Sequence, residues 1–210
     1  MGGNMYITKP AEIETKSMEI IEKSLTDVSF SEKEKPIVKR MIHTSGDVDY
    51  RKIILFKNNF IEEAEKALKI GITIFTDTKM VLSGINKPAL NKTDCNCLCL
   101  IDDAEVFKMS KENGTTRSSA AVDIAVRSGA SAFVIGNAPT ALFRLLELYK
   151  EEKIKPLFVV GVPVGFVGAA ESKEALRQTD IPQISTEGTK GGSNIAASII
   201  NALLYMNNLR

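Results

Sequence analysis

The sequence predicts a three-layer α/β/α sandwich with a mainly parallel, about five-stranded Rossmann-like sheet and an N-terminal helical arm. Two observations support this fold class: short apolar runs rich in β-branched residues, and helical patterns that alternate with them from about residue 72 onward. Runs that are apolar on both faces are typical of buried parallel strands. Strands that alternate with helices favour a parallel sheet with right-handed crossovers.

Five segments carry the strand pattern, and four of them end directly before an aspartate or a glycine. The predicted strands span residues 72–76, 95–101, 131–135, 157–160 and 181–185. The last is the weakest, because Pro182 lies within it and cannot donate to the ladder. Helical periodicity is found in the second half of the chain at residues 117–127, 140–151, 171–177 and 193–206.

The first 70 residues differ from the rest because their periodicity is helical. Residues 11–25 and 59–70 each carry an apolar stripe, and Gly71 follows the second. Ser31 and Glu34 have the spacing of a capping box, which begins another helix that ends near His43. We therefore expect a single domain over residues 1–210, with a helical arm at 1–70 and an α/β core at 71–210. The arm packs on the sheet or extends from it.

Composition excludes several classes of protein. Hydrophobic residues make up 44% of the 210 and charged residues 25%, as in ordinary globular domains. The 27 Lys and Arg against 26 Asp and Glu give a net charge of +1, which argues against a nucleic-acid partner. No apolar stretch reaches the roughly 18 residues of a membrane span, and the N-terminus lacks an apolar signal core. We expect a cytoplasmic protein.

The three cysteines, Cys95, Cys97 and Cys99, alternate along a predicted strand. An odd number without a signal segment favours reduced thiols. A period of two places all three on one face, too far apart for one tetrahedral ion, and no fourth ligand is evident. Buried small hydrophobic side chains are thus favoured over metal ligands, and no metal site is expected.

Glycine-rich loops follow several predicted strands, where ligands bind in open parallel sheets. They span residues 114–117, 136–140, 161–168 and 187–193, and each leads into a helix. Free N–H groups at helix starts favour anions, so these loops would suit a ligand with several carboxylates or phosphates. Tight turns alone are an equal alternative. The spacing in 161–168 is not that of a dinucleotide fold, and 190–193 has the wrong order for a P-loop.

His43 is the only histidine in the chain, so any imidazole catalysis must use it. A histidine at a helix end is also often a solvated or C-capping residue. Arg40 lies one helical turn before it.

Five blocks of sequence resemble the precorrin-8X methylmutases, which are called cobalt-precorrin-8 methylmutases in the anaerobic cobalamin pathway. The blocks occur in family order, from position 40 to 193. They are Arg40-Met41-Ile42-His43-x-x-Gly46-Asp47, Gly114-Thr115-Thr116-Arg117-Ser118-Ser119-Ala120-Ala121, Ile135-Gly136-Asn137-Ala138-Pro139-Thr140-Ala141-Leu142, residues 161–173, and Gly191-Gly192-Ser193.

The resemblance implies an isomerase of cobalamin biosynthesis. The family moves a methyl group of a corrin precursor from ring carbon 11 to ring carbon 12, an intramolecular 1,5-shift that needs no cofactor. The product is hydrogenobyrinate, or cobyrinate when cobalt is present, and the lysine- and isoleucine-rich composition resembles the cobalt branch. The resemblance implies that His43 donates and recovers a proton, and that the protein is a homodimer with pockets near the subunit boundary. General acid–base help contributes typically ~10²–10⁴-fold.

The resemblance also suggests residues that bind the acetate and propionate side chains of the corrin. Arginine suits carboxylates because it pairs with them bidentately. Asn137 and Thr140 have N-capping as an alternative role. Lys190 stands near a position where the family often has arginine, and Thr115 where asparagine is commoner. The expected binding residues are Ser17, Arg40, Arg117, Asn137, Thr140 and Lys190. Two rival functions stay open: a tetrapyrrole carrier without catalysis, and a nucleotide-binding enzyme that uses the glycine loops.

Overall fold

The computed structural model describes residues 7–207, and a six-stranded mixed sheet lies at its centre. The strands are β1 (Ile54–Lys57), β2 (Thr73–Thr76), β3 (Asn96–Leu98), β4 (Ala132–Ile135), β5 (Phe158–Gly161) and β6 (Gln183–Thr186). Their order across the sheet is β1-β6-β5-β4-β2-β3. All neighbours run parallel except β1, which pairs antiparallel with β6 at one edge. The predicted fold class is confirmed.

Helices cover both faces of this sheet. They are α1 (Pro10–Lys23), α2 (Glu34–Ser45), α3 (Phe60–Ile70), α4 (Lys79–Gly84), α5 (Lys87–Leu90), α6 (Ala104–Glu112), α7 (Arg117–Arg127), α8 (Pro139–Lys150), α9 (Ala169–Arg177) and α10 (Ser193–Met206). A short 3-10 helix, Val48–Lys52, follows α2. No helix within residues 7–207 has the length and apolarity needed to cross a membrane.

Two hydrophobic clusters make the sandwich three-layered. Ile74 and Val134 point to the side covered by α2, α3 and α10, whereas Phe75 and Phe133 point to the side covered by α7 and α8. This alternation follows from the two-residue period of a strand. Helix α10 is buried almost all round, because it lies between the sheet and α2.

The first 70 residues are helical as expected, with one addition. The capping box is present: the Ser31 N–H donates to Glu34 Oε2 at 2.7 Å, and the Glu34 N–H donates to Ser31 Oγ at 3.3 Å. Helix α2 then packs into the core, while α1 buries only Ile21. The addition is β1, which the sequence pattern does not reveal because only Ile54 of its four residues is buried at the sheet edge.

The cysteine segment is shorter as a strand than predicted. Cys95 precedes β3 and is buried, and its Sγ accepts the Ile72 N–H at 3.4 Å. Burial, and then the neighbouring Cys95, raise the pKa of the Cys97 thiol to about 12. A protonated thiol is a poor metal ligand. Within the part of the chain that is described, no three His, Cys, Asp or Glu side chains form a group suited to a metal ion.

Candidate functional site

The loops after β2, β4, β5 and β6 meet at the carboxyl edge of the parallel strands. The chain order reverses between β2 and β4, since β3 lies outside β2 and the later strands lie on its other side. This reversal creates the crevice in which open α/β sheets bind ligands. The candidate site therefore lies in this crevice and along the edge toward β6.

Asp77, the residue directly after β2, occupies the base of the crevice. Its Oδ1 accepts the Gly136 N–H at 3.0 Å, and its Oδ2 accepts the N–H groups of Asn137 and Ala138, each at 2.8 Å. Burial raises the pKa of Asp77, against the effect of these three donors. The expectation that the 136–140 loop offers its N–H groups to a ligand is wrong for these three, because a carboxylate of the protein already holds them.

His43 lies in the last turn of α2, and its side chain is exposed. The helix ends at Ser45, and its C-cap Gly46 has φ +67° and donates its N–H to the Ile42 carbonyl at 2.9 Å. Among residues 7–207 no hydrogen bond or ion pair engages the imidazole. A histidine so exposed is available to a ligand at this edge.

The turn after His43 is attached to the loop after β6. Lys190 Nζ pairs with the Asp47 carboxylate and lies 5.7 Å from the centre of the Tyr50 ring. Tyr50 Oη donates to the Gly191 carbonyl at 3.2 Å. The hydrogen bond from Lys190 holds the pKa of Asp47 below its ordinary value. These contacts connect the histidine motif to the last of the glycine loops.

The loops after β5 and β6 are packed backbone against backbone. A Cβ at Gly191 would lie 2.1 Å from the Val162 carbonyl oxygen, so only glycine fits there. The same oxygen accepts the Gly192 N–H at 3.0 Å, and the Gly165 N–H donates to the Thr189 carbonyl at 3.1 Å. The Lys190 segment is therefore a fixed part of the edge.

Arg40 and Ser17 lie on α2 and α1 of the helical arm. An Arg40 Nη donates to Glu14 Oε1 at 3.1 Å, and the guanidinium lies 5.1 Å from the centre of the Tyr205 ring. Ser17 Oγ donates to the Ile13 carbonyl at 2.8 Å within α1, half-buried. A cleft of about 700 Å³ between α1 and α2 is lined partly by Arg40 and Glu14.

Arg117, Thr140 and Asn137 lie at the starts of α7 and α8, and all three are exposed. The Arg117 guanidinium lies 4.8 Å from the centre of the Phe107 ring. Thr140 Oγ1 accepts a hydrogen bond from Thr116 Oγ1 at 2.9 Å, and Thr116 caps α7. The N-cap residue of α8 is Ala138, so the alternative capping role of Asn137 and Thr140 is wrong.

The structure thus brings the expected residues together in three groups. Arg40 pairs with Glu14 of α1, and Ser17 lies on that same helix. His43 lies one turn before Asp47, which pairs with Lys190. Thr140 accepts from Thr116 beside Arg117, and Asn137 precedes Thr140 in the same loop. Sequence reasoning missed two buried charges that organise the edge, Asp77 and Lys173. The position of Asp77 directly after a strand places it at the edge of the sheet, but it does not show which loop the carboxylate holds. Lys173, in the polar segment 171–174, gave no signal.

Comparison with known proteins identifies the family. Residues 12–206 match the family model described as precorrin-8X methylmutase. A cobalt-precorrin-8 methylmutase of Salmonella typhimurium is 47% identical over 95% of this chain and 97% of its own. That of Methanocaldococcus jannaschii is 43% identical over 91% of each chain. The solved precorrin-8X methylmutase of Thermus thermophilus superposes with a TM-score of 0.86, at 34% identity over 93% of this chain and 95% of its own.

The chain belongs to the precorrin-8X methylmutase family. Methylmutases are isomerases, so this membership confirms the enzyme class that the sequence motifs implied. The carboxyl edge of the sheet is the natural position for a methylmutase site, since three of the five sequence blocks include the loops after β4, β5 and β6.

Proposed function

We propose that the chain converts cobalt-precorrin-8 to cobyrinate by a 1,5-methyl shift, with His43 as the general acid and base. The observation that supports this most is an exposed, unengaged imidazole attached through Asp47 to a lysine-bearing loop at the ligand edge of the sheet. The cobalt form is preferred because both curated relatives above are named for it. The metal-free substrate is the second candidate.

The reaction rearranges one molecule without adding atoms. The bond between the methyl group and ring carbon 11 breaks, and a bond to ring carbon 12 forms. Protonation of the conjugated ring system near the acceptor carbon eases the migration, and His43 donates that proton and takes it back. Holding the macrocycle in its reactive shape, away from water, supplies the remaining rate enhancement.

The cations of the edge and the arm bind the carboxylates of the corrin. Arg117 contacts the Phe107 ring and has no carboxylate within ion-pair distance among the described residues. Lys190 and Arg40 hold Asp47 and Glu14, and a substrate carboxylate exchanges with these acids. Ser17, Asn137 and Thr140 contribute neutral hydrogen bonds. A buried Asp77 carboxylate in the crevice disfavours a phosphate there, which argues against the nucleotide alternative.

The deciding experiment is a visible spectrum recorded anaerobically with cobalt-precorrin-8. We expect the wild-type protein to convert the absorption band of the substrate to that of the product, because the shift changes the conjugation. A shift of the substrate band on binding, with only unchanged substrate recovered by extraction, would indicate the carrier function instead. Precorrin-8X in a parallel reaction shows which metal state is preferred.

His43→Ala is the matched variant for that experiment. We expect kcat to fall by at least about 100-fold, because no other imidazole exists in the chain. The exposed position means that the melting temperature should change little, since surface substitutions cost about 0.5 kcal/mol or less. Product binding should persist. A kcat above about a tenth of wild type would assign His43 to binding rather than to proton transfer.

A homodimer in the cytoplasm is the working form that we propose, with arm and core in one domain. Support for a second copy comes from exposed apolar side chains: Ile20 is 60% exposed on α1, and Phe166 and Val167 are 92% and 90% exposed after β5. Closed two-fold dimers are the commonest assembly for such surfaces. Light scattering that returns the 22.9 kDa of one chain at micromolar concentration would contradict the dimer.

A further inference from the structure

Lys173 is a buried cation that holds the loop after β6. Its side chain, on α9, is fully buried, and among residues 7–207 no carboxylate lies within 4 Å of its Nζ. The Nζ donates to the Lys190 carbonyl at 2.8 Å and to Thr186 Oγ1 at 3.1 Å. Thr186 Oγ1 in turn donates to the Lys190 carbonyl at 2.7 Å. Helix α9 and strand β6 therefore both donate to one peptide carbonyl of the loop.

This arrangement is costly as a mere packing device. Burying an ammonium without a paired acid destabilises a protein, and an apolar side chain of similar length avoids that cost. Arg177 lies near enough to disfavour the charge further, and burial and Arg177 together lower the pKa of Lys173 to about 8. The hydrogen bond from Lys173 fixes the position of the Lys190 backbone, and this gain is one that an apolar side chain does not provide.

The position of the Lys190 backbone determines two contacts to the segment that follows His43. The side chain of Lys190 reaches Asp47 from that backbone, and the next residue, Gly191, accepts the Tyr50 hydroxyl. Lys173 itself is sealed from the solvent and cannot touch a substrate. Its influence on the site passes through Lys190.

We propose that Lys173 is a positioning residue, which fixes the 187–191 loop so that Lys190 meets a substrate carboxylate beside the His43 turn. The kinetic part of this inference rests on the proposed function, whereas the hold on the loop does not. Two readouts therefore test it: cleavage of the loop in the absence of substrate, and the Michaelis constant in its presence.

The first test is cleavage by trypsin of the Lys190–Gly191 bond in the native protein, followed by mass spectrometry. Cleavage of a folded protein tracks the population in which the segment is open. We expect Lys173→Met to raise the cleavage rate at this bond at least tenfold and Lys173→Gln, which keeps a donor, to raise it less. An unchanged rate in Lys173→Met would overturn the proposal.

Gln183→Leu is the matched control for lost stability. Gln183 is the first residue of β6, and its Nε2 donates to the Leu176 carbonyl of α9 at 2.6 Å. The substitution removes a buried hydrogen bond between the same two elements, at the end of the strand far from Lys190. Cleavage after Lys190 should stay near wild type in this variant. Equal acceleration in both variants would show general loosening and overturn a specific role of Lys173.

The second test is a double-mutant cycle in KM with Lys190→Ala. If Lys173 acts through Lys190, its replacement by Met raises KM about fivefold in the wild type and does nothing further in Lys190→Ala. Additive effects would overturn the proposal. Suppose that Lys173→Met is cleaved faster but that KM does not rise in Lys190→Ala. This result would overturn the substrate role of Lys190, and the hold of Lys173 on the loop would stand.

Discussion

Two loops at the carboxyl edge of the sheet are organised by buried charges of opposite sign. The 136–138 segment lies on the Asp77 carboxylate, which accepts three of its N–H groups. The 187–191 loop lies on the Lys173 ammonium, which donates to a carbonyl and a hydroxyl. The first arrangement consumes the donors that would bind an anion. The second consumes acceptors and leaves the Lys190 side chain exposed.

The contrast shows why a glycine-rich loop before a helix is ambiguous as an anion site. Such a loop favours negative charge because its N–H groups are free. A neighbouring strand can supply that charge permanently, as β2 does through Asp77. Which outcome holds depends on the residue that follows the adjacent strand, and adjacency is a property of the topology. In this methylmutase the anion-binding capacity is expected at Lys190 and Arg117 rather than at the 136–138 backbone.

Removal of the buried acid Asp77 should strongly destabilise the protein. Asp77→Ala leaves three N–H groups without a partner, and we expect a loss of about 3 kcal/mol in the free energy of unfolding. For a chain of this length that corresponds to a melting temperature lower by roughly 6–12 °C, measured by circular dichroism. Asp123→Ala is the control, since it removes a partly exposed pair with Arg144 and should cost about 1 kcal/mol or less.

A small carboxylate should repair the same variant. Formate can occupy the space that the Asp77 side chain leaves, and we expect it to raise the melting temperature of Asp77→Ala but not of the wild type. The rise should follow mass action with formate concentration. Equal stability of Asp77→Ala and wild type would show that these N–H groups do not need an anion, and the distinction between the two loops would fail.

The ligand contacts of the two loops should differ in strength. Lys190→Ala removes a charged partner of a substrate carboxylate and should raise KM about tenfold, because hydrogen bonds to charged groups contribute more than neutral ones. Asn137→Ala removes a neutral amide from the other loop and should raise KM about threefold or less. In both variants kcat should change little, since the contacts exist before and during the reaction. The reverse ranking would assign the main carboxylate site to the 136–140 loop.

Much of the fold was predictable because strands such as β4 and β5 are apolar runs that need no partner to be recognised. The antiparallel edge strand β1 was not, since its four residues are stabilised as a strand only by pairing with β6. Helices α4 and α5 also escaped, because they span only six and four residues. Helix α6 escaped because its nine residues bury only Val106 and Ser110, which leaves little of an apolar stripe in the sequence.

The candidate site divides in the same way. His43 could be found from its scarcity and its sequence block, and Lys190 from its position in a glycine loop. Asp77 required knowledge that β2 pairs with β4, which brings its carboxylate under Gly136. Lys173 required knowledge of burial, because the surrounding Glu171 and Glu174 suggest a solvated helix face. Long-range pairing and tertiary burial are what local patterns do not contain.

Lys173 should add a small pH dependence to the stability of the protein. Burial lowers the pKa of Lys173 to about 8 in the folded protein, so between pH 8 and its ordinary value of 10.5 the unfolded chain binds the extra proton. Stability from this group therefore rises with pH across that window. The free energy of urea unfolding of the wild type, relative to Lys173→Met, should increase by about 1 kcal/mol from pH 7.5 to pH 9. A difference that stays constant or falls with pH would show that burial of the ammonium does not destabilise the protein. Lys173 and Asp77 would then differ only in where they lie, not in the cost of burying their charges.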